Sequence, residues 1–287
     1  LEPLPMTPTT GKKILLGLSL EQLTQLAEEL GMPRFTGKQL AGWLYDKRVT
    51  TIEEMSNISK ANRERLSEHY EVGRSAPVTS ELSKDGTRKY LFRVRSGGLV
   101  EAVFIPDGDR ATLCISSQVG CKMDCLFCMT GKQGFKGNLS AGEIINQVLS
   151  VEESAELTNI VYMGMGEPLD NLENVSKAIK ILKENDGLAI APRRQTVSTS
   201  GLGSQIKKLG EMDLGVLLAI SLHAVTNELR SKLMPINNAY KIESVMEAVR
   251  GFPIDMRKRV MFEYLVIKDM NDGIKDAKKL VSLLHGI

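Results

Sequence analysis

The chain is 287 residues long, 42% apolar and 25% charged, with a net charge of +2. That is ordinary globular composition with room for one large domain and a small companion, and so small a charge neither demands nor excludes a nucleic-acid partner. No window approaches the roughly eighteen apolar residues of a membrane span, and the opening LEPLPMTPTT has no secretory layout and reads as a trimmed start.

After Lys12-Lys13, Ser19-Leu20-Glu21-Gln22 is a capping box that opens an amphipathic helix ending at Gly31, before Pro33. Thr36-Gly37-Lys38-Gln39 repeats the signal and opens a second helix through Trp43 and Tyr45. Thr51 to Glu54 marks a short third helix and Ser59 to Tyr70 a fourth. Lys38, Lys47, Arg48, Arg63 and Arg65 stand among acids on this unit, and charges on short helices ordinarily just face water. From Lys89 the period changes to two. Tyr90 to Val94 and Leu99 to Ile105, separated by Ser96-Gly97-Gly98, predict a β-hairpin, and Pro106-Asp107-Gly108-Asp109 turns the chain onward.

Beyond this turn strand-like and helix-like segments alternate, the signature of βα units on a parallel sheet. Strands are predicted at Ala111 to Gln118, Thr158 to Met163, Gln195 to Thr199, Gly215 to Leu222 and Arg259 to Ile267. A helix opens at the capping box Ser140-Ala141-Gly142-Glu143 and runs through Val151. Others cover Val175 to Glu184, Gln205 to Glu211, Glu228 to Leu233, Ile242 to Arg250 and Ile274 to Leu284. Residues 1–75 therefore read as a helical unit, 76–108 as a hairpin connector, and 109–287 as an α/β body with about five parallel strands, one short of the usual series.

Ligands of parallel βα folds sit at the carboxyl ends of the strands, where successive loops crowd round one mouth. Four motifs fall there: the run Cys121, Cys125, Cys128; Gly164-Met165-Gly166-Glu167-Pro168; Ser198-Thr199-Ser200-Gly201; and Ser221-Leu222-His223. Three tightly spaced thiols on one loop suit a metal or an iron-sulfur cluster. His223 could complete a zinc site and Cys114 a four-thiolate cluster, although Cys114 lies within the first parallel strand and is poorly placed to reach the loop's focus. Alone, Cys114 could equally be an inert core thiol and His223 an ordinary hydrogen-bonded core histidine. All four cysteines fall within fifteen positions, a poor layout for structural disulfides, so a reducing cytoplasm is expected.

The C-x-x-x-C-x-x-C spacing, with an aromatic before the last cysteine in Cys125-Leu126-Phe127-Cys128, resembles the radical S-adenosylmethionine (SAM) superfamily, whose fold is a full or partial βα barrel. The resemblance implies a partial parallel barrel here, with a 4Fe-4S cluster on Cys121, Cys125 and Cys128. It also implies SAM chelated to the fourth iron and cleaved by one electron to a 5'-deoxyadenosyl radical. Glu167, beside the bare backbone of Gly166, would pair with the SAM ammonium. Ser198, Ser221, Leu222 and His223 would offer hydroxyl, backbone and imidazole groups to its ribose, adenine or carboxylate.

More narrowly, ATLCISSQVGCKMDCLFC, MGMGEP, VSTSG and AISLHA, in this order, resemble the bacterial RNA methyltransferases that act on C2 of an adenine in 23S ribosomal RNA and in tRNA. An sp2 C2–H is neither acidic nor electrophilic enough for direct transfer from SAM, so a radical must open the position. The resemblance implies that the helical unit is an accessory RNA-binding domain, that Glu101 is a proton acceptor, and that Cys114 resolves a protein–RNA crosslink by thiol exchange. It implies a monomer served by an electron donor such as flavodoxin. The family's methyl-carrying cysteine and last barrel strand would lie beyond Ile287. The sister activity at adenine C8 uses the same cluster and cysteines, and a non-catalytic RNA-binding protein with a structural metal site is the reading from another class.

Overall fold

The computed structural model describes residues 11–184, 187–253 and 260–287. The opening residues 1–10 and Arg259, first in the predicted fifth parallel strand, lie outside the described residues. Helix α1 (Leu20–Glu29) starts at Ser19, whose hydroxyl accepts from the Gln22 N–H while the Gln22 side chain accepts from the Ser19 N–H. This is the expected capping box. Helix α2 (Thr36–Ala41) is capped instead at Phe35 with no side-chain bond, and Thr36 is buried in its first turn. The box predicted at Thr36 therefore does not form. From Gly42 to Asp46 the helix widens into a π turn that carries Leu44 and Tyr45 into the core. The predicted short helix at Thr51 to Glu54 is a turn, because Glu54 Oε1 accepts from the N–H and the hydroxyl of both Thr50 and Thr51. Helix α3 (Lys60–His69) begins at Ser59, whose hydroxyl accepts from the Asn62 N–H.

The main sheet has eight strands lying side by side in chain order. They are β1 (Thr79–Leu82), β2 (Arg88–Arg93), β3 (Leu99–Asp107), β4 (Arg110–Cys114), β5 (Asn159–Tyr162), β6 (Gln195–Thr199), β7 (Leu217–Ser221) and β8 (Met261–Glu263). Strands β1 to β4 run antiparallel and β4 to β8 parallel, so the predicted hairpin, β2 and β3, extends the parallel sheet. Among the described residues the sheet stays open, with β1 and β8 at its edges and five parallel strands. Strand β1 escaped sequence reading because all four of its residues are exposed, which erases the alternation a half-buried strand shows. The helices of the body are α4 (Ala141–Leu149), α5 (Leu172–Lys183), α6 (Gly203–Glu211), α7 (Asn227–Leu233), α8 (Ile242–Arg250) and α9 (Ile274–Leu284). The Ser140 capping box at α4 forms as predicted.

Side chains alternate across a strand, and the pairing register assigns each to a face. Tyr90 and Phe92 pair with Ala102 and Val100, Phe104 with Leu113, Leu113 with Ile160, and Tyr162 with Val197. These residues form the face buried in the same core as Ile144, Val148, Val175, Ile179, Ile206 and Val245 of the helices. The opposite face carries the polar groups and is where a ligand has access.

Candidate functional site

The register alone puts five chemically capable residues on that opposite face. Val103 pairs with Cys114, so Glu101, two residues from Val103, shares its side. Cys114 pairs with Val161, Val161 with Thr196, Ser198 with Ala219, and Ser221 with Glu263. Glu101, Cys114, Ser198, Ser221 and Glu263 thus line one surface running across the parallel strands. At its far end the Ser221 and Ser198 hydroxyls both donate to Glu263 Oε2, at 2.8 and 3.4 Å. Oε1 of Glu263 has no protein hydrogen bond among the described residues. At the near end Glu101 is half-buried, 3.3 Å from the Lys89 ammonium, and its backbone carbonyl accepts from the Ser116 hydroxyl at 2.6 Å. Burial pushes the Cys114 thiol up to about 11, against a hydrogen bond from the Met163 N–H and with the nearby Glu263 carboxylate adding to the rise. Cys114 is therefore held as a neutral thiol, and its ionisation needs a base or relief of burial.

The cysteine loop leaves the sheet earlier than predicted. Strand β4 ends at Cys114, and Gln118–Val119 pair instead with Gly137–Asn138. This small antiparallel ladder closes the base of the loop that carries Cys121, Cys125 and Cys128. Farther out, the Leu126 N–H donates to Leu233 O at the end of α7 at 2.8 Å, and Cys125 packs against the buried Ala224, Leu233 and Met234. All four cysteines are free thiols and half-buried. Burial raises Cys121 to about 11 and Cys125 to about 12, with the other loop thiols and Glu167 adding to the rise. Among the described residues no His, Cys, Asp or Glu side chains gather tightly enough to hold a single metal ion. Three half-buried free thiols on one loop suit the thiolate ligands that a 4Fe-4S group would need.

The second loop is braced to its neighbours. Gly166 has φ +99° and a Cβ there would lie 2.5 Å from Gln118 Cβ, so glycine is required on both counts. The close approach lets Gln118 Oε1 accept from the Glu167 N–H at 2.8 Å while Gln118 Nε2 donates to Asp170 and Asn138. The Glu167 carboxylate is only 3% exposed. It accepts from the Ser200 N–H at 2.7 Å, the Ser200 hydroxyl at 2.8 Å and the Leu169 N–H at 3.1 Å. Burial still outweighs these bonds and raises its pKa. Glu167 therefore ties the second loop to the third, a role its sequence position did not announce.

His223, two residues past the end of β7, is in the left-handed region, φ 55°, and its Nδ1 accepts from the Leu265 N–H at 3.0 Å, which places the proton of the neutral ring on Nε2. Burial lowers its pKa, so the ring is neutral at pH 7. Phe127 of the cysteine loop stands edge-on to the imidazole with centroids 4.9 Å apart, joining the first and fourth loops. Leu222 is fully buried beside Ile242 and Met246, with its N–H on Glu263 O and its carbonyl on Arg230. Its backbone is committed to the protein. Strand β8 ends at Glu263 because the Leu265 and Ile267 N–H groups go to His223 and Asn271 side chains rather than to a ladder.

Sequence reading missed Glu263, Gln118, Ser200 and Arg230. For Glu263 a signal existed, a carboxylate near the end of a predicted parallel strand. Gln118 and Ser200 act through Glu167, 49 and 33 positions away, and Arg230 through the backbone of two strand ends.

The radical SAM superfamily model matches residues 115–281, more than half of the chain, and the model of the ribosomal RNA large subunit methyltransferase N-terminal domain matches residues 14–72. The dual-specificity RNA methyltransferase RlmN of Campylobacter concisus is 60% identical over 96% of this chain and 76% of that protein. The Campylobacter fetus protein of the same name is 57% identical over 95% and 81%. A solved radical SAM methyltransferase from Sphaerobacter thermophilus superposes with a TM-score of 0.90 at 38% identity, covering 96% of this chain and 82% of that one. The chain belongs to the radical SAM superfamily and, within it, to the family of the dual-specificity RNA methyltransferases RlmN.

Proposed function

We propose that this protein methylates C2 of an adenine in 23S ribosomal RNA and in tRNA by radical SAM chemistry. The observation that carries the reading is the convergence of the Cys121, Cys125, Cys128 loop, braced by Phe127 against His223, on the strand-end surface holding Ser198, Ser221 and Glu263. Cys121, Cys125 and Cys128 would hold the 4Fe-4S cluster, which supplies the electron that opens SAM. Glu263, positioned by the two serine hydroxyls, would accept from the vicinal hydroxyls of the SAM ribose through its free Oε1. Gly166, Glu167, Leu222 and His223 would shape the remaining walls of the SAM site. Glu101 and Cys114, on the same face, would meet the adenine as proton acceptor and resolving thiol. The carrier of the methyl group is none of Cys114, Cys121, Cys125 and Cys128.

Residues 1–75 would serve as the RNA-docking accessory domain, 76–108 as connector and 109–287 as the radical SAM body. A groove of about 1450 Å³ between α1, α2 and α5 is lined by Arg34, Phe35, Lys38, Lys177 and Lys180, and Phe35 is 65% exposed. An exposed aromatic among cations suits a base stacked beside its phosphates. Glu21, Glu28, Glu173 and Glu184 line the same groove, so its pull on phosphate is local rather than a broad field. We further propose a monomer in the cytoplasm that receives its electron from a flavodoxin. Among the described residues no helix is long and apolar enough to cross a membrane.

The test is anaerobic reconstitution with iron and sulfide, followed by reduction with SAM and RNA present. Iron-sulfur absorbance and 5'-deoxyadenosine release are expected, and, from protein that also carries the methyl-accepting cysteine, a methyl located at adenine C2 by mass spectrometry. Binding of zinc alone, without SAM cleavage, would overturn the enzyme reading, and a methyl at C8 would overturn the C2 assignment.

A further inference from the structure

Arg230, on α7, is fully buried and has no acid beside it. Its Nε donates to Leu222 O at 3.1 Å, Nη1 to Asn237 Oδ1 at 3.1 Å, and Nη2 to Ser200 O at 2.6 Å and Ser221 O at 3.1 Å. Every partner is a neutral carbonyl or amide oxygen, and the guanidinium enters no ion pair with a carboxylate among the described residues. A buried cation is normally paired, because desolvation is recovered only by an opposite charge nearby. The four hydrogen bonds here engage all three guanidinium nitrogens and leave the charge uncompensated.

Cys125 lies against this part of the fold. Its loop is held to the end of α7 through the Leu126 N–H and Leu233 O at 2.8 Å, and Cys125 packs against the buried cluster of Ala224, Leu233 and Met234. Burial lowers the Arg230 guanidinium only to about 10, so the cation is kept at pH 7.

We propose that Arg230 is the fixed counter-charge of the iron-sulfur cluster, a positioning residue that favours the cluster's reduced state. This rests on the proposed function, in that the cluster sits on Cys121, Cys125 and Cys128. Such a cluster brings three thiolates to the loop, and taking one electron adds one more negative charge to it. A cation fixed in a low-dielectric wall stabilises the extra charge and raises the reduction potential. Arg230 also pins the ends of β6 and β7 through Ser200 O, Ser221 O and Leu222 O, so the charge cannot relax away when the electron arrives. The bare hydrogen-bond role needs no positive charge, which separates the two readings.

The experiment is an EPR-monitored titration of the reconstituted holoenzyme with dithionite as the one-electron source, comparing the parent with Arg230→Lys and Arg230→Gln. Iron content and circular dichroism report loading and folding independently of activity. Arg230→Gln is expected to load its cluster with a more negative midpoint potential, a shift of roughly tenfold in the reduced-to-oxidised ratio at fixed potential. Arg230→Lys, which keeps the charge and loses the fork, is expected to stay near the parent. Should the Gln variant fail to fold, Arg230→Met takes its place as the neutral variant: a midpoint potential more negative than the parent's supports the proposal, and a parental one overturns it. Unchanged potential in a loaded Gln variant also overturns it. Failure of the parent to take up any cluster would instead remove the proposed function and this inference with it.

Discussion

Glu263 gathers two serine hydroxyls from adjacent strands onto one carboxylate oxygen and leaves the other open to the ligand face. A carboxylate already oriented by two donors loses little freedom on accepting a diol, and charge-assisted hydrogen bonds of this kind contribute about 1.5–3 kcal/mol. Glu263→Gln is therefore expected to weaken SAM binding to the cluster-loaded protein by roughly tenfold or more, read by anaerobic calorimetry, with cluster content unchanged. Undiminished affinity would move the ribose contact elsewhere. Gly166 tests the opposite property, space rather than charge. With φ +99° and Gln118 Cβ in the way, Gly166→Ala is expected to cost roughly 1–3 kcal/mol of stability and to break the Gln118–Glu167 bond. Denaturant unfolding of the metal-free protein measures this without reference to activity. Only one of these two residues was visible in sequence. Gly166 sits in a motif of adjacent small residues, whereas Glu263 gains its meaning from Ser198 and Ser221, 65 and 42 positions away.

At the scale of elements, local chemistry was legible wherever a segment closes its own hydrogen bonds. The boxes at Ser19 and Ser140 form because hydroxyl and acceptor lie three residues apart on the same turn. Thr36 carries a similar pattern but is buried, with its N–H on Pro33 O, since the turn from Pro33 has already started the helix at Phe35. The strand ends were less legible, because what stops β4 and β8 is a competing partner rather than a breaker residue: Gly137–Asn138 for the first chain segment, the His223 and Asn271 side chains for the second. The turn at Thr50 to Glu54 shows the same competition and yields a pH prediction. Hydrogen bonds from the Thr50 N–H first, and then from the Thr51 N–H, hold the Glu54 carboxyl below the ordinary carboxylate range. A depressed folded-state value means that the stabilisation is present above about pH 4.3 and is lost as pH falls through the lower folded value. Glu54→Gln should therefore flatten part of the acid limb of stability, seen as a smaller fall in urea midpoint between pH 5 and pH 3 than the parent shows. Parallel limbs would mean that the turn survives protonation.

For the whole molecule the decisive question is whether the helical unit and the α/β body melt together. One continuous buried cluster holds Leu23, Leu40 and Leu66 of the helices with Val100, Ile144 and Val175 of the body. Polar bonds cross the same boundary. The Asn146 side chain of α4 accepts from the Ser75 N–H and donates to the Ser75 carbonyl. Gly142 of α4 comes so near Gly17 that a Cβ on it would lie 2.3 Å from Leu16 O. Arg74 donates to Ser150 Oγ and to Leu149 O at the carboxyl end of α4, where a cation also answers the helix dipole. Elements sharing a core cannot unfold separately without exposing the apolar faces of both, so cooperative units follow such contacts. Trp43 is the only tryptophan and lies in the helical unit, which makes its fluorescence a local probe, while far-UV circular dichroism reports mostly the body. The two signals are expected to trace one coincident denaturant transition. Arg74→Ala leaves Leu149 O without that donor and is expected to lower both midpoints together by about 1–3 kcal/mol of stability. A Trp43 transition that precedes the dichroism change in the parent would show that the helical unit is only docked, and the groove it shares with α5 would then be free to change shape.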